Sequence, residues 1–308
     1  MIELLDLRSK ILDTQAMIAR LRSMVADHPN EEALLENLQT LRKRQANLEE
    51  VFLETASKNE LDVCSYRFPA EERITLGGVA GALSNFQNLF TVVYESLRKG
   101  PKKRARIDAE TFAETSFGFG YAFAGSVGFV FTLPNERLLI GETALDDAIR
   151  TVFEMVKAES SEEIATYAKK LGVAPIRAMY KWANEHAEYG LSADIEWRRA
   201  DKVRASVLVQ NQELIRLRTT IDRTSEDVVE ELTVPGILVG ADVKRRTFHL
   251  TVEGGADISG PISEGVDAPD FVTLPRPYTA RVRKTTRIYY STEKEEISYL
   301  LTGLTEPP

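Results

Sequence analysis

The first 58 residues carry an apolar repeat whose steps alternate between three and four residues. It runs through Leu4, Leu7, Ile11, Thr14, Ile18, Leu21 and Val25, and then through Leu34, Leu38, Leu41, Gln45, Leu48 and Phe52. This spacing is typical of a coiled coil, because it keeps one narrow seam facing a partner helix. Pro29 ends the first helix, and Asn30 is the expected N-cap of the second. The pattern therefore predicts an antiparallel coiled-coil helical hairpin over 1–58, packed either on the rest of the chain or on a second copy.

Composition excludes several classes of protein. The chain has 308 residues, of which 43% are hydrophobic and 28% charged, which is typical of a globular protein. The acidic residues Glu3 and Asp6 near the N-terminus are not typical of a secretory signal peptide, which begins with basic and then apolar residues. The chain lacks an apolar stretch long enough for a membrane helix. Its single cysteine cannot form an internal disulfide or a cysteine-based metal site. We therefore expect a cytoplasmic protein without a membrane partner or a cofactor.

Residues 59–224 mix helices and strands in the order of an α+β domain. We predict a strand over 63–68 with Cys64, Tyr66 and Phe68 on one face, and a helix over 79–97. There follow a hairpin over 115–133, a helix begun by Thr143, a helix pair over 160–190 and a strand over 192–197. A further helix is predicted through Val203, Val207, Gln210, Leu214, Leu217 and Ile221, which repeat at heptad spacing.

The hairpin over 115–133 has an unusual composition. Alternation places the aromatic residues on one face and leaves the other nearly bare, with Phe117, Phe119, Tyr121 and Phe123 on the aromatic face. Gly125 and Ser126 suit a tight turn. Because a bare face lets another element approach closely, we expect the helix over 79–97 to pack there.

Residues 225–308 contain only strands and turns. The predicted strands are 228–239, 246–253, 258–262, 278–290 and 295–302, which is the size of a small five-stranded β-barrel. The fold class is therefore α+β, with a helical hairpin at 1–58, an α+β body at 59–224 and a small barrel at 225–308.

Six cations stand close together between the helix over 79–97 and the hairpin. They are Arg98, Lys99, Lys102, Lys103, Arg104 and Arg106. Gly100 and Pro101 interrupt any helix here, so we predict an exposed basic loop. Clustered cations of this kind bind phosphates by releasing counterions, although a solvated loop or a dock for an acidic protein has the same composition.

The helix pair over 160–190 resembles the helix-turn-helix of DNA-binding domains, and the resemblance covers residues 163–182. Ala168 stands where the first helix must be thin, and Gly172 stands where the turn needs a positive φ. The resemblance implies that the second helix offers Arg177 and Lys181 to a DNA groove or its phosphates. Pro175 stands where a base-reading residue is often found, and a plain helix-glycine-helix joint explains the same residues.

Alternation along 278–290 predicts that Arg281, Arg283 and Arg287 share one face of the barrel with Tyr289. Arginines beside a tyrosine suit a single strand of nucleic acid. Salt bridges to acids of the neighbouring strand are the simpler explanation, and the candidates are Glu293, Glu295 and Glu296.

The sequence predicts no catalytic residue. The three histidines, His28, His186 and His249, are scattered, and none stands beside a nucleophile. The alternative enzyme is a metal-dependent nuclease with Asp227, Asp242 and Lys244, whose acids would have to lie on adjacent strands.

The whole layout, a helical hairpin followed by an α+β body and a small barrel, resembles uncharacterised bacterial proteins of anti-phage defence loci. The resemblance implies a defence context and no catalytic residues. We therefore expect a non-catalytic, self-associating adaptor that recognises nucleic acid or a protein and works beside an effector. It would assemble through 1–58. A purely structural scaffold is the remaining alternative.

Overall fold

The structure is a computed structural model, which describes residues 2–69, 74–123, 127–135, 142–252, 254–255, 257–267, 272–292 and 294–306. The chain divides into two compact units, Met1–Asp222 and Arg223–Pro308. These residues contain eight helices and two sheets, a mixed α+β architecture. Within them, no helix is both long and apolar enough to cross a membrane.

The N-terminal helical pair consists of α1 (Ile2–Asp27) and α2 (Glu32–Lys58). Much of the predicted seam is buried: Leu7, Ile11, Thr14 and Ile18 of α1, and Leu34, Leu38 and Phe52 of α2. The seam residues in the middle of α2, Leu41, Gln45 and Leu48, are half-buried. The N-cap of α2 is Glu31 rather than Asn30, and its side chain makes no capping hydrogen bond. The pair belongs to the same compact unit as the α+β body, because its apolar side chains pack on the sheet.

A five-stranded antiparallel sheet forms the centre of this unit. Its strands are β1 (Leu61–Phe68), β2 (Gly118–Phe123), β3 (Val127–Pro134), β4 (Ala193–Arg199) and β5 (Lys202–Val209), in the order β2-β3-β1-β4-β5. Cys64, Tyr66 and Phe68 of the central strand are buried, as alternation predicted. Burial raises the pKa of the Cys64 thiol far above its ordinary value.

The prediction of one continuous helix from Val203 to Ile221 was wrong. Residues 202–209 form β5, and only the C-terminal part is helical, as α8 (Asn211–Arg223). Val203, Val207 and Val209 are β-branched and favour a strand, and a two-residue turn at 200–201 returns the chain beside β4. Val203 and Val207 are four residues apart, a spacing that also occurs in the heptad repeat of a helix, and this led to the wrong prediction.

Five further helices complete the unit: α3 (Leu76–Lys99), α4 (Ala109–Thr115), α5 (Ala144–Met155), α6 (Ser161–Leu171) and α7 (Val173–Tyr189). The rings of α3 pack on one face of the sheet, where Phe90 stacks on Trp197 at 5.5 Å between ring centroids. The helical pair covers the other face, where Phe52 meets the edge of Tyr121 at 5.2 Å. Thr143 caps α5 in a capping box with Asp146.

A bulge at Gly120 changes the predicted arrangement of the hairpin β2–β3. The register shifts between Phe119 and Tyr121, so Phe117 lies with α3 while Tyr121 lies with the helical pair. A Cβ at position 120 would come within 2.8 Å of the carbonyl oxygen of Val130. The aromatic residues are therefore divided between both faces, and α3 does not pack on a bare face. The predicted turn at Gly125 and Ser126 lies outside the described residues.

The second unit is a closed barrel with the strand order β10-β8-β7-β6-β9. Its strands are β6 (Ser225–Asp242), β7 (Thr247–Val252), β8 (Asp257–Asp267), β9 (Arg276–Tyr289) and β10 (Glu295–Thr305). The core contains Leu238, Phe248, Leu250, Tyr278 and Val282 among its buried residues. On β9, Ala280 and Val282 point inward while Arg281, Arg283 and Arg287 are exposed, as alternation predicted.

Candidate nucleic-acid interface

The predicted basic loop is fixed to the turn between α6 and α7. The backbone N–H of Lys102 donates to the carbonyl oxygen of Leu171 at 2.9 Å, and the N–H of Ala174 donates to the carbonyl oxygen of Lys102 at 2.9 Å. Arg177 then reaches over and donates from Nη1 to the carbonyl oxygen of Lys103 at 2.9 Å. The two basic features that the sequence showed separately, the loop and the helix pair, therefore form one surface.

Gly172 makes this contact possible. Its φ is +87° and its ψ is 175°, a conformation that L side chains rarely adopt. A Cβ at this position would overlap with the backbone of Lys102 and lie 2.6 Å from its carbonyl carbon. The sequence predicted the positive φ from the helix-turn-helix resemblance, but the close approach of the loop was not foreseen.

Three of the six loop cations are neutralised within the protein. Arg98, in the last turn of α3, pairs with Glu114, and Lys99 pairs with Asp108. The Lys99 ammonium holds the pKa of Asp108 well below its ordinary value. The side chain of Lys102 points toward the buried carboxylate of Glu95. These three side chains are therefore poor candidates for contact with a ligand.

The buried acid is Glu95 of α3, whose side chain is 2% exposed. Its Oε1 atom lies 3.9 Å from Nζ of Lys99 and 3.9 Å from Nζ of Lys102. Because a buried carboxylate is costly without a positive partner, Glu95 draws both lysines toward the interior.

The cations that point outward come from both elements. Lys103, Arg104 and Arg106 of the loop and Lys181 of α7 are exposed. Among the described residues, no carboxylate lies within ion-pair distance of Lys103, Arg106 or Lys181. The loop and the part of α7 that carries Arg177 and Lys181 thus form a positive surface on a chain whose net charge is −8, and Glu185 and Glu188 follow further along the same side of the helix.

The helix pair differs from a DNA-reading helix-turn-helix in one respect. Ala168, Leu171, Ala178 and Trp182 are buried between the two helices and the rest of the unit, as the core of such a helix pair requires. However, the first turn of α7, residues 173–176, is also buried, and α7 packs along α3 as a core helix. A recognition helix reads bases with residues of this first turn. Only the side of α7 that carries Arg177 and Lys181 faces outward.

The barrel cations pair with acids of a neighbouring strand. Directly opposite one another on β9 and β6, Arg283 contacts Glu231 at 2.6 Å, Lys284 contacts Glu230 at 3.0 Å and Arg287 contacts Asp227 at 2.8 Å. Arg281 instead lies over Gly303.

The direct ion pairs of these cations are to β6, one neighbour of β9, rather than to the acids proposed from the sequence. Glu295 and Glu296 lie on the other neighbour, β10, where Glu296 stands opposite Arg287. Glu296 of β10 accepts hydrogen bonds from Tyr289 and Lys294, at 2.9 and 3.1 Å. Glu293 lies outside the described residues. Since Arg283 and Arg287 are each engaged by a carboxylate, the barrel offers a weaker phosphate surface than the loop.

The structure does not bring the nuclease residues together. Asp227 and Asp242 lie near opposite ends of the same strand, β6, rather than on adjacent strands, and Asp227 is engaged by Arg287. Lys244 is exposed in the turn that follows β6. Within the described ranges, no group of three or more histidine, cysteine or acidic side chains could hold a metal ion.

Sequence reasoning missed a buried polar network beneath the sheet. Arg199 donates to Asp62 from Nε at 2.7 Å and from Nη2 at 2.9 Å, and it also pairs with Asp146. Asn135 donates to both carboxylates, at 2.9 and 3.2 Å, and Trp197 donates to Asp62 at 3.1 Å. Burial alone would raise the pKa of Asp146, but Arg199, the backbone N–H of Thr143 and Asn135 together lower that pKa. The network joins β1, β4 and α5.

The buried histidine is also structural. His186 receives a hydrogen bond from the hydroxyl of Tyr66 at 2.6 Å if its Nδ1–H donates to the carbonyl oxygen of Leu191 at 3.0 Å. Trp182 donates to the same hydroxyl at 2.9 Å. Burial lowers the pKa of His186 to about 4, so the ring is neutral at pH 7. His28 and His249 are exposed.

Comparison with known proteins leaves the function to be argued from this geometry. No protein-family model matches the chain, and no curated protein matches it. A solved Cu(II) structure of a tryptophan-to-alanine variant of CusF from Escherichia coli has 9% sequence identity, covers 26% of this chain and 94% of its own, and has a TM-score of 0.18. At that TM-score the likeness carries no argument.

Proposed function

We propose that the chain is a non-catalytic binding subunit that holds the phosphates of a nucleic acid on the surface formed by loop 100–106 and α7. The observation that carries this proposal is the docking of Lys102 on the α6–α7 turn, where Arg177 donates to the carbonyl oxygen of Lys103. Lys181 follows Arg177 by one turn of α7, and Arg106 follows Lys103 by three residues. Cations that lack an internal carboxylate partner release counterions when they meet phosphate. Since the first turn of α7 is buried, the contact is to the backbone of the nucleic acid rather than to base edges.

The test is fluorescence anisotropy with a short labelled DNA duplex and with the corresponding single strand, each at several salt concentrations. The variant carries Lys103→Glu, Arg106→Glu and Lys181→Glu. We expect its affinity for duplex to fall by about tenfold or more. The salt dependence should also become weaker. The negative slope of log K against log salt should become less steep by about three, at roughly 0.9 for each phosphate that is no longer neutralised.

The control variant carries Arg42→Glu, Lys43→Glu and Arg44→Glu. These three residues are exposed on α2, on the opposite face of the sheet from α3, and their reversal changes the net charge equally. We expect it to bind as the unmodified protein does. Equal losses in the two variants, or no binding by the unmodified protein near physiological salt, would rule out the proposed surface.

We also propose that the protein self-associates through the helical pair at 1–58. On α1, Leu5 and Leu12 are seven residues apart and exposed, and so are Met17 and Met24. The two pairs lie on different exposed sides of α1, because the five residues from Leu12 to Met17 turn an α-helix by about 140°. Each pair has the heptad spacing that suits contact with a second helical pair. Light scattering should show an oligomer that Leu12→Glu with Met17→Glu converts to monomer. A monomeric unmodified protein at high concentration would contradict this.

The resemblance to proteins of anti-phage defence loci supports a further proposal, that the subunit acts beside an effector protein in such a system. The expected readout is the efficiency of phage plating on cells that carry the intact locus. The variant with Lys103, Arg106 and Lys181 changed to glutamate should lose protection while remaining at its normal cellular level. If cells with this variant are still protected from phage, the nucleic-acid surface is not required for defence.

A further inference from the structure

The carboxylate of Glu95 on α3 is buried behind the basic loop and has only distant positive charge to compensate it. Its side chain is 2% exposed, and the Oε2 atom is buried without a hydrogen-bond partner among the described residues. The ammonium nitrogens of Lys99 and Lys102 each lie 3.9 Å from Oε1, which is longer than a hydrogen bond. A buried carboxylate in this situation depends on nearby positive charge, so Glu95 attracts both lysines.

The two lysines differ in how firmly they are held. Lys99 also pairs with Asp108, and its Nζ donates to Oγ1 of Thr111 at 3.0 Å. Among the described residues, Glu95 supplies the one carboxylate within ion-pair distance of Lys102. The direction of the Lys102 side chain therefore depends on the charge of Glu95, whereas Lys99 has partners that hold it without this acid.

The backbone of Lys102 already lies on the positive surface. Its N–H donates to Leu171, its carbonyl oxygen accepts from Ala174, and the next residue, Lys103, accepts from Arg177. The Lys102 side chain is 29% exposed, whereas Lys103 is fully classed with the exposed residues of the loop. Because a lysine ammonium stands on a flexible four-carbon stem, it can turn from the interior to solvent without any change in the backbone.

We propose that Glu95 is a positioning residue that limits how many phosphates the basic surface neutralises, because it keeps the ammonium of Lys102 away from the ligand. This inference rests on the proposed function, since it concerns the same surface. In the unmodified protein, Lys103, Arg106 and Lys181 contact the nucleic acid and Lys102 does not. Removing the charge of Glu95 releases Lys102 to solvent and adds one cation to the surface.

Glu95→Gln tests this directly, because glutamine keeps the size of the side chain and removes its charge. With the labelled DNA duplex at about 0.1 M salt, we expect the affinity to rise about fivefold to tenfold. The negative slope of log K against log salt should become steeper by about 0.9, the change for one added phosphate contact. Loss of a negative charge also acts through space, so a second variant combines Glu95→Gln with Lys102→Met. Its slope should return to that of the unmodified protein.

The matched control is Glu188→Gln, which changes the net charge equally. Glu188 is exposed on α7, and no cation of the described residues pairs with it, so the slope should stay unchanged. The proposal is overturned if Glu95→Gln leaves the slope unchanged, if the steeper slope persists with Lys102→Met, or if the control has the same effect. A less steep slope for Lys102→Met alone also overturns it, because Lys102 would then contact phosphate in the unmodified protein.

Chemical labelling of the free protein tests the link between Glu95 and Lys102 without nucleic acid. Limited acetylation with an N-hydroxysuccinimide ester, followed by mass spectrometry, gives a reaction rate for each lysine. In the unmodified protein, Lys102 should react several-fold more slowly than Lys103, and in Glu95→Gln the two rates should be similar. An unchanged Lys102 rate in Glu95→Gln overturns the inference. If that variant does not fold, equal rates for Lys102 and Lys103 in the unmodified protein overturn it.

The labelling also separates this inference from the proposed function. If the unmodified protein binds no DNA while the acetylation rates differ as expected, the proposed function fails and the positioning of Lys102 by Glu95 stands. If the protein binds DNA but the rates do not differ, the basic surface stands and the role of Glu95 is refuted.

Discussion

Two glycines with the same backbone conformation allow the docking of the basic loop to be measured. Gly100 has φ +86° and ψ 175°, and Gly172 has φ +87° and ψ 175°. Alanine at either position pays the same conformational strain, about 1–3 kcal/mol. Nothing lies within 4 Å of a Cβ at position 100, whereas a Cβ at position 172 would overlap with the backbone of Lys102. The difference between the two variants therefore isolates the contact with the loop.

The magnitude follows from the hydrogen bonds that must break. Gly172→Ala separates Lys102 from the α6–α7 turn and removes two backbone hydrogen bonds of 2.9 Å, each worth about 1 kcal/mol. We expect Gly172→Ala to be less stable than Gly100→Ala by about 2 kcal/mol. With an m-value of about 2–3 kcal/mol/M, the urea midpoint should differ by about 0.8 M.

Tryptophan fluorescence is the suitable signal for this urea titration. The chain has two tryptophans, Trp182 and Trp197, and both are buried in the unit Met1–Asp222. The signal therefore reports the unfolding of that unit without a contribution from the barrel. If the two variants unfold at the same urea concentration with the same m-value, the loop is not held on the turn, and the argument for a shared basic surface fails.

Other consequences concern the buried polar groups. Arg199→Met leaves Asp62 and Asp146 buried without their cation and should cost about 3–5 kcal/mol in urea unfolding, whereas Arg198→Met, which breaks a half-exposed pair, should cost less than about 1 kcal/mol. The pKa of His186 falls from 6.5 to about 4 on folding, so its contribution to stability is complete above pH 6.5 and is lost as the pH falls toward 4. We expect about 3 kcal/mol of stability to disappear over that range, and His186→Gln should flatten this part of the pH profile. Incubation with plasmid DNA and Mg²⁺ should leave the plasmid intact, and cleavage would contradict the separation of Asp227 from Asp242 along β6.

Local patterns in the sequence were sufficient for many elements of the fold. The heptad seam predicted the helical pair, alternation predicted the buried face of β1, and Thr143 correctly marked the start of α5. Each of these signals comes from residues that are close together in the sequence, within one helix or strand or at its end. Gly120 was read as part of an alternating strand, since a bulge depends on how the neighbouring strand pairs.

The site was harder to predict, because its properties depend on residues far apart in the chain. The six cations of the loop were evident, but Glu114, Asp108 and the buried Glu95 decide which of them reach solvent. The network around Arg199 joins Asp62 across 137 positions of the sequence, so no spacing motif indicates it. In β5, two valines at a spacing of four favoured a helix until pairing with β4 was known.

The location of the chain's single thiol has a practical consequence for spectroscopy. Cys64 is 2% exposed on the central strand, and its raised pKa keeps it protonated at neutral pH, so maleimide reagents should not reach it. A cysteine introduced at position 103 would then be the only accessible point of attachment for a dye or spin label. The proposed basic surface can thus be followed by fluorescence or electron spin resonance without first replacing Cys64.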